Sequence, residues 1–136
     1  MIITTKCPLV GEGFSLITPK LLDRYPTRVP RRPGVYAIFL RNGDRLLDVI
    51  GYGDKSRAAP WRIADFVHLY TGESGDLRGR LQQHLYGEAE ESCFRLTLLS
   101  LASSATALLE RQPHMELDAL VKAHLHAHAL IAFRRG

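Results

Sequence analysis

The chain has 136 residues, 46% of them hydrophobic and 24% charged, which suits one compact domain able to fold without help. Its net charge of +4 permits a polyanionic partner without requiring one, and 14 of its 18 basic residues are Arg, a bias that suits bidentate phosphate contact but that GC-rich coding also produces. No apolar run approaches the ~18 residues of a membrane helix, MIITTKCPLVGEG lacks the apolar stretch of a signal peptide, and Cys7 and Cys93 form no CxxC, so a soluble cytoplasmic protein with free thiols is expected.

Thr18-Pro19 followed by KLLDRY predicts an N-cap, a first-turn proline and a short helix that stops before Pro26. This helix falls in an N-terminal extension, residues 1–29. In VPRRPGVYAIFL the prolines keep the entry extended and VYAIFL reads as a buried strand. Asn42-Gly43 is a hairpin signal, and RLLDVIG is expected to return as a second strand. Residues 51–65, GYGDKSRAAPWRIAD, form an irregular insertion with room for one helical turn and a buried Trp61.

FVHLYTG is the next strand, and DLRGRLQQHLYG a helix that opens near Asp76 and closes at Gly87. The acidic GEAEES loop should face solvent. CFRLTLLSL reads as a strand and SATALLERQ as a helix; after Pro113, HMELDALVKAHLHAHALIAFRR reads as helix to the end. The sum is a single α+β domain over 1–136, with a small antiparallel sheet flanked by helices.

Arg80 and His84 stand four apart on the helix after Tyr70-Thr71-Gly72, so their side chains leave the same face. Taken singly, Tyr36 and Tyr70 read as strand-core residues, and Arg80 and His84 as solvated or helix-packing ones. Together, PGVY at 33–36, LYTG at 69–72 and LRGRL at 77–81 resemble the GIY-YIG nuclease family. That family has a Gly-(Ile/Val)-Tyr strand, a Tyr-x-Gly strand and a helix bearing an essential Arg. The resemblance covers roughly residues 30 to 112, with the stretch between the two tyrosine motifs unmatched.

The resemblance implies metal-dependent DNA endonuclease activity with Mg²⁺ or Mn²⁺, and DNA as the partner. It implies that Tyr36 orients or deprotonates the attacking water, that Tyr70 bonds the scissile phosphate or that water, and that Gly72 turns the backbone tightly beside the site. Arg80 would stabilise charge on the phosphate and His84 would relay a proton. Reading FRLTLLSL as the strand before the metal-bearing helix makes Glu110 the metal ligand, with Glu116 its competitor. Arg31, Arg32 and Arg78 are assigned to the nucleic-acid backbone; the cluster Arg24, Arg28, Arg31 and Arg32 reads equally as a basic surface. A homodimer would let a one-site nuclease cut both strands.

The chain departs from the family pattern in carrying Glu73 where a Lys often follows Tyr-x-Gly, and its only Asn is Asn42. The absent family Asn, with Glu110 and Glu116 competing as metal ligand, supports a second reading, an inactive nucleic-acid-binding module on the same scaffold. A third, a zinc-binding or protein-interaction domain, uses the HLHAH segment, where His124 and His128 share the i, i+4 spacing of a metal pair. No third ligand stands at helical spacing and there is no HExxH, so packing or solvated histidines are the expectation.

Overall fold

The computed structural model describes residues 13–49, 62–102 and 117–136. Five antiparallel strands form one sheet in the order β1-β5-β2-β4-β3. The strands are β1 Ser15–Ile17, β2 Gly34–Arg41, β3 Arg62–Ile63, β4 Phe66–Ser74 and β5 Ala129–Arg135. The α-helices are α1 Pro19–Arg24, α2 Arg45–Val49, α3 Leu77–Tyr86, α4 Cys93–Ala102 and α5 Leu117–His128. The α+β class with a helix-flanked antiparallel sheet is as expected, with more strands than the three of the core. No described helix is long and apolar enough to cross a membrane.

β2 is the spine. It pairs with β4 along one side and β5 along the other, from Gly34↔Ser74 and Gly34↔Arg135 at one end to Leu40↔Val67 and Leu40↔Ala129 at the other. Because side chains alternate across a strand, Tyr36, Ile38 and Leu40 enter the main core beneath the helices, with Leu77, Leu81 and Leu85 of α3 and Val121 and Leu125 of α5. Ala37 and Phe39 enter a smaller apolar cluster with Ala132 on the other face.

Three expected elements differ. Asn42-Gly43 does make a turn, closed by the Asp44 amide on the Arg41 carbonyl at 3.1 Å. A two-residue hairpin of the expected kind needs positive φ at both central residues. Gly43 has it, at +89°, and Asn42 does not. The chain therefore leaves the turn into α2 instead of returning as a strand, and the Asp44 carboxylate caps the Leu46 amide at 2.8 Å. The hairpin lies further on, where β3 returns to β4 through Ala64 and Asp65.

CFRLTLLSL is α4, not a strand. Its Phe94 and Leu98 face the core four residues apart, a helical stripe hidden because FRLTL also alternates apolar and polar residues like a strand. Conversely, the final segment is not one helix. It ends at His128 and continues as β5, whose Ile131 and Phe133 enter the main core while Ala132 faces the other way. No Gly or Pro marks that junction, so only pairing along the whole of β2 reveals it.

Candidate active site

The starts of α1 and α3 are as expected: Thr18 caps α1 through the Leu21 amide, and Asp76 caps α3 through the Gly79 amide at 3.1 Å, while Gly87 closes α3 in an extended conformation and not a left-handed one. The chain entering β2 is bonded to the start of α3, with the Leu77 amide on the Arg32 carbonyl and the Arg78 amide on that of Pro30. These bonds fix α3 beside the Gly34 end of β2. Its turns then present His84 to the core and Arg80 to the surface.

Tyr36 and Gly72 sit opposite each other in the β2–β4 ladder. A Cβ on Gly72 would lie 2.4 Å from the Tyr36 hydroxyl. Gly72 thus serves the site by leaving room for a phenol laid across it; it lies within β4, not at the tight turn anticipated for it. The Tyr36 hydroxyl and His84 Nε2 are 2.6 Å apart, and His84 Nδ1 lies 2.7 Å from Ser92 Oγ. A phenol is a stronger acid than an imidazole N–H, so Tyr36 donates to Nε2 and Nδ1–H donates to Ser92. Tyr70 and Phe94 complete an aromatic wall around His84, with ring centroids 5.6 and 5.5 Å from the imidazole.

The electrostatics of this pair are one-sided. Burial, then the Arg80 and Arg95 charges, depress His84 from 6.5 to about 4, so its imidazole is neutral at physiological pH. Burial and the neighbouring Tyr70 phenol raise Tyr36 well above the ordinary tyrosine value, against a smaller pull from Arg80. Both groups are held neutral. The pair can therefore accept and pass hydrogen bonds readily, whereas a full ionisation of either costs more than it would in water.

Arg80 lines an open cleft with Pro33, Gly34, Val35, Glu73, Ser74 and Gly136. Arg80 and His84 do leave α3 toward one region, but at different depths: the guanidinium at the rim, the imidazole 1% exposed behind Tyr36. A second cleft beside β5 is lined by Arg28, Arg134 and Arg135. Arg135 and Arg134 pair with Gly34 and Val35, so these cations flank the same end of β2. They were read as the end of a helix and given no part in the cleft.

The other assigned cations are placed as follows. Arg31 is exposed and pairs with Asp76 at 2.9 Å. Arg32 is exposed, and Arg78 donates from Nε to the Val29 carbonyl at 2.8 Å. Ser92 and Arg95 were also missed. Ser92 is fully buried although GEAEES was expected to face solvent, and Arg95 is fully buried and bonded to Asp118 at 3.1 and 3.2 Å. Their signal was faint, a lone Ser and Arg beside an acidic run.

Glu110, Glu116 and Trp61 lie outside the described residues. The strand from which Glu110 was placed is the helix α4. Among the described residues the cleft offers one carboxylate, Glu73. A hard cation needs only one or two carboxylates, the rest of its shell coming from water and phosphate oxygens; Glu73 can supply one, although its pairing with Val35 puts it on the sheet face opposite Tyr36.

A family model described as the GIY-YIG catalytic domain matches residues 34–124, about two-thirds of the chain. No curated protein and no solved structure gives a match.

Proposed function

The chain belongs to the GIY-YIG catalytic-domain family, a nuclease family, and from that premise we propose that it is a metal-dependent DNA endonuclease. The observation that carries the proposal is the 2.6 Å contact between the Tyr36 hydroxyl and His84, with Arg80, whose charge reaches both groups, lining a cleft at the Gly34 end of β2. Tyr36 spends its proton on His84 Nε2, which leaves its oxygen lone pairs to accept a hydrogen bond from the attacking water. Because both members of the pair resist ionisation, Tyr36 orients that water more than it deprotonates it.

Arg80 would donate to the phosphate oxygens as charge grows on them, with the Tyr70 hydroxyl as a second donor. Gly72 keeps the phenol in place. Arg134, Arg135, Arg31, Arg32 and Arg78 are the cations available to the DNA backbone at this end of the sheet. Glu110 remains the proposed ligand of Mg²⁺ or Mn²⁺, with Glu116 and the cleft carboxylate Glu73 as its competitors; when bound, the ion supplies Lewis-acid neutralisation of phosphate charge.

The test is nicking of supercoiled plasmid in Mg²⁺. Cutting should vanish with chelator and fall ~10²–10³-fold in Arg80→Ala, whose exposed side chain can be removed without disturbing the core. The second reading, a binding module without turnover, draws on Glu73 being the cleft's one described carboxylate. It would be established by salt-sensitive DNA binding with no cutting of plasmid or branched DNA.

A further inference from the structure

We propose that Asp44, His124 and His128 form a transition-metal site, occupied by Zn²⁺ or a close first-row relative, at the opposite end of the sheet from Tyr36. The three are the one group of its kind among the described residues: a carboxylate oxygen and two imidazole nitrogens, all within 4.8 Å of one another. Their separation in sequence is wide. Asp44 leaves the turn after β2, whereas the histidines stand one turn apart near the end of α5, immediately before β5 begins beside Leu40. The third ligand absent at helical spacing is thus supplied by the Asn42-Gly43 turn, which throws Asp44 onto α5.

The geometry is that of converging donors. His124 Nδ1 lies 2.7 Å from Asp44 Oδ1, and His128 Nδ1 lies 2.5 Å from Oδ2. Ligands bound tetrahedrally at ~2.0–2.1 Å stand about 3.3 Å apart, so the two His–Asp contacts would open by less than ~1 Å, while the widest separation in the group, within 4.8 Å, would close toward that value. The Asp44 side chain is 1% exposed, whereas those of His124 and His128 are 20% and 38% exposed. The carboxylate therefore forms the floor of the site, and the histidine side opens to solvent, where water would complete the shell.

An ion would replace the two hydrogen bonds between the imidazole Nδ1 atoms and Asp44, each imidazole carrying its proton on Nε2 instead, while the Leu46 amide keeps its bond to Asp44 Oδ1. Two imidazoles and one anion suit Zn²⁺, and suit Mg²⁺ poorly because Mg²⁺ demands oxygen. Tyr36 and Arg41 stand five steps apart along β2, roughly 17 Å of strand. An ion here would clamp the β2–α2 turn to α5 and take no part in phosphate chemistry. The proposal does not rest on the nuclease reading, since its readout is metal binding and not cleavage.

The experiment is calorimetric titration of the chelator-stripped full chain with Zn²⁺, with thermal unfolding followed in parallel. The expected result is one Zn²⁺ per chain, a raised Tm, and no competition from millimolar Mg²⁺. His124→Ala and His128→Ala, checked for folding by circular dichroism, should each weaken binding ~100-fold or more. If a variant fails to fold, the wild-type chain still decides: absence of saturable Zn²⁺ binding overturns the proposal. Binding left unchanged in either folded variant overturns it equally, because the ion would then sit elsewhere.

Discussion

Arg80 and His84 on α3 and His124 and His128 on α5 share the i, i+4 spacing, and the two pairs meet opposite fates. On α3, Arg80 and His84 separate by depth: one reaches the rim of a cleft, the other is sealed behind Tyr36 and bonded to Ser92. On α5, His124 and His128 converge on one carboxylate. The spacing is the same, so spacing did not decide. The neighbours did: a glycine opposite Tyr36 makes room for a phenol at one end of β2, and a turn too irregular for a hairpin delivers Asp44 at the other.

The largest effect that could break this contrast is acid. Folded His84 takes its proton at about 4, whereas the unfolded side chain takes it near 6.5. Between those values the unfolded state binds more protons, so stability falls as pH falls, by on the order of 3 kcal/mol from this group, and levels off below the folded value. Histidine-ring NMR should find His84 neutral at pH 5, together with a lower urea midpoint at pH 5 than at pH 7. A His84 signal titrating near 6.5 would remove the argument that the pair is held neutral.

A smaller and more local change is Gly72→Ala. Its Cβ would meet the Tyr36 hydroxyl at 2.4 Å, and neither a pleated strand nor an aromatic ring yields easily. We expect a loss of ~1–3 kcal/mol in stability, a marked loss of nicking as the phenol leaves His84, and unaltered Zn²⁺ affinity at the Asp44 end. A variant that cut DNA normally would show that the phenol's placement does not matter.

Legibility in the sequence followed the strength of local signals. Thr18-Pro19 and Asp76 carry their own capping chemistry, and α1 and α3 were readable from them. VYAIFL is rich in strand formers, and the motifs that bring Tyr36, Tyr70 and His84 together in the fold were readable because order and spacing had to agree. What escaped depended on partners. CFRLTLLSL alternates apolar and polar residues over FRLTL, a strand's period laid over the helical one. ALIAFRR follows a helix without a break, and its strand state exists through β2. Asp44 lies 80 residues from His124, a distance no helical template spans.

The most direct test of the central claim is the rate of plasmid nicking in Mg²⁺ by Tyr36→Phe beside the wild type, with folding and DNA binding measured on both. The change removes one oxygen, the atom bonded to His84, and keeps the ring that fills the core. The account predicts a fall of ~10²–10⁴-fold in cutting, with DNA binding retained and a stability cost of ~1–3 kcal/mol for the acceptor left on His84. Cutting within a few-fold of the wild type would contradict it, and would place the water-positioning group elsewhere.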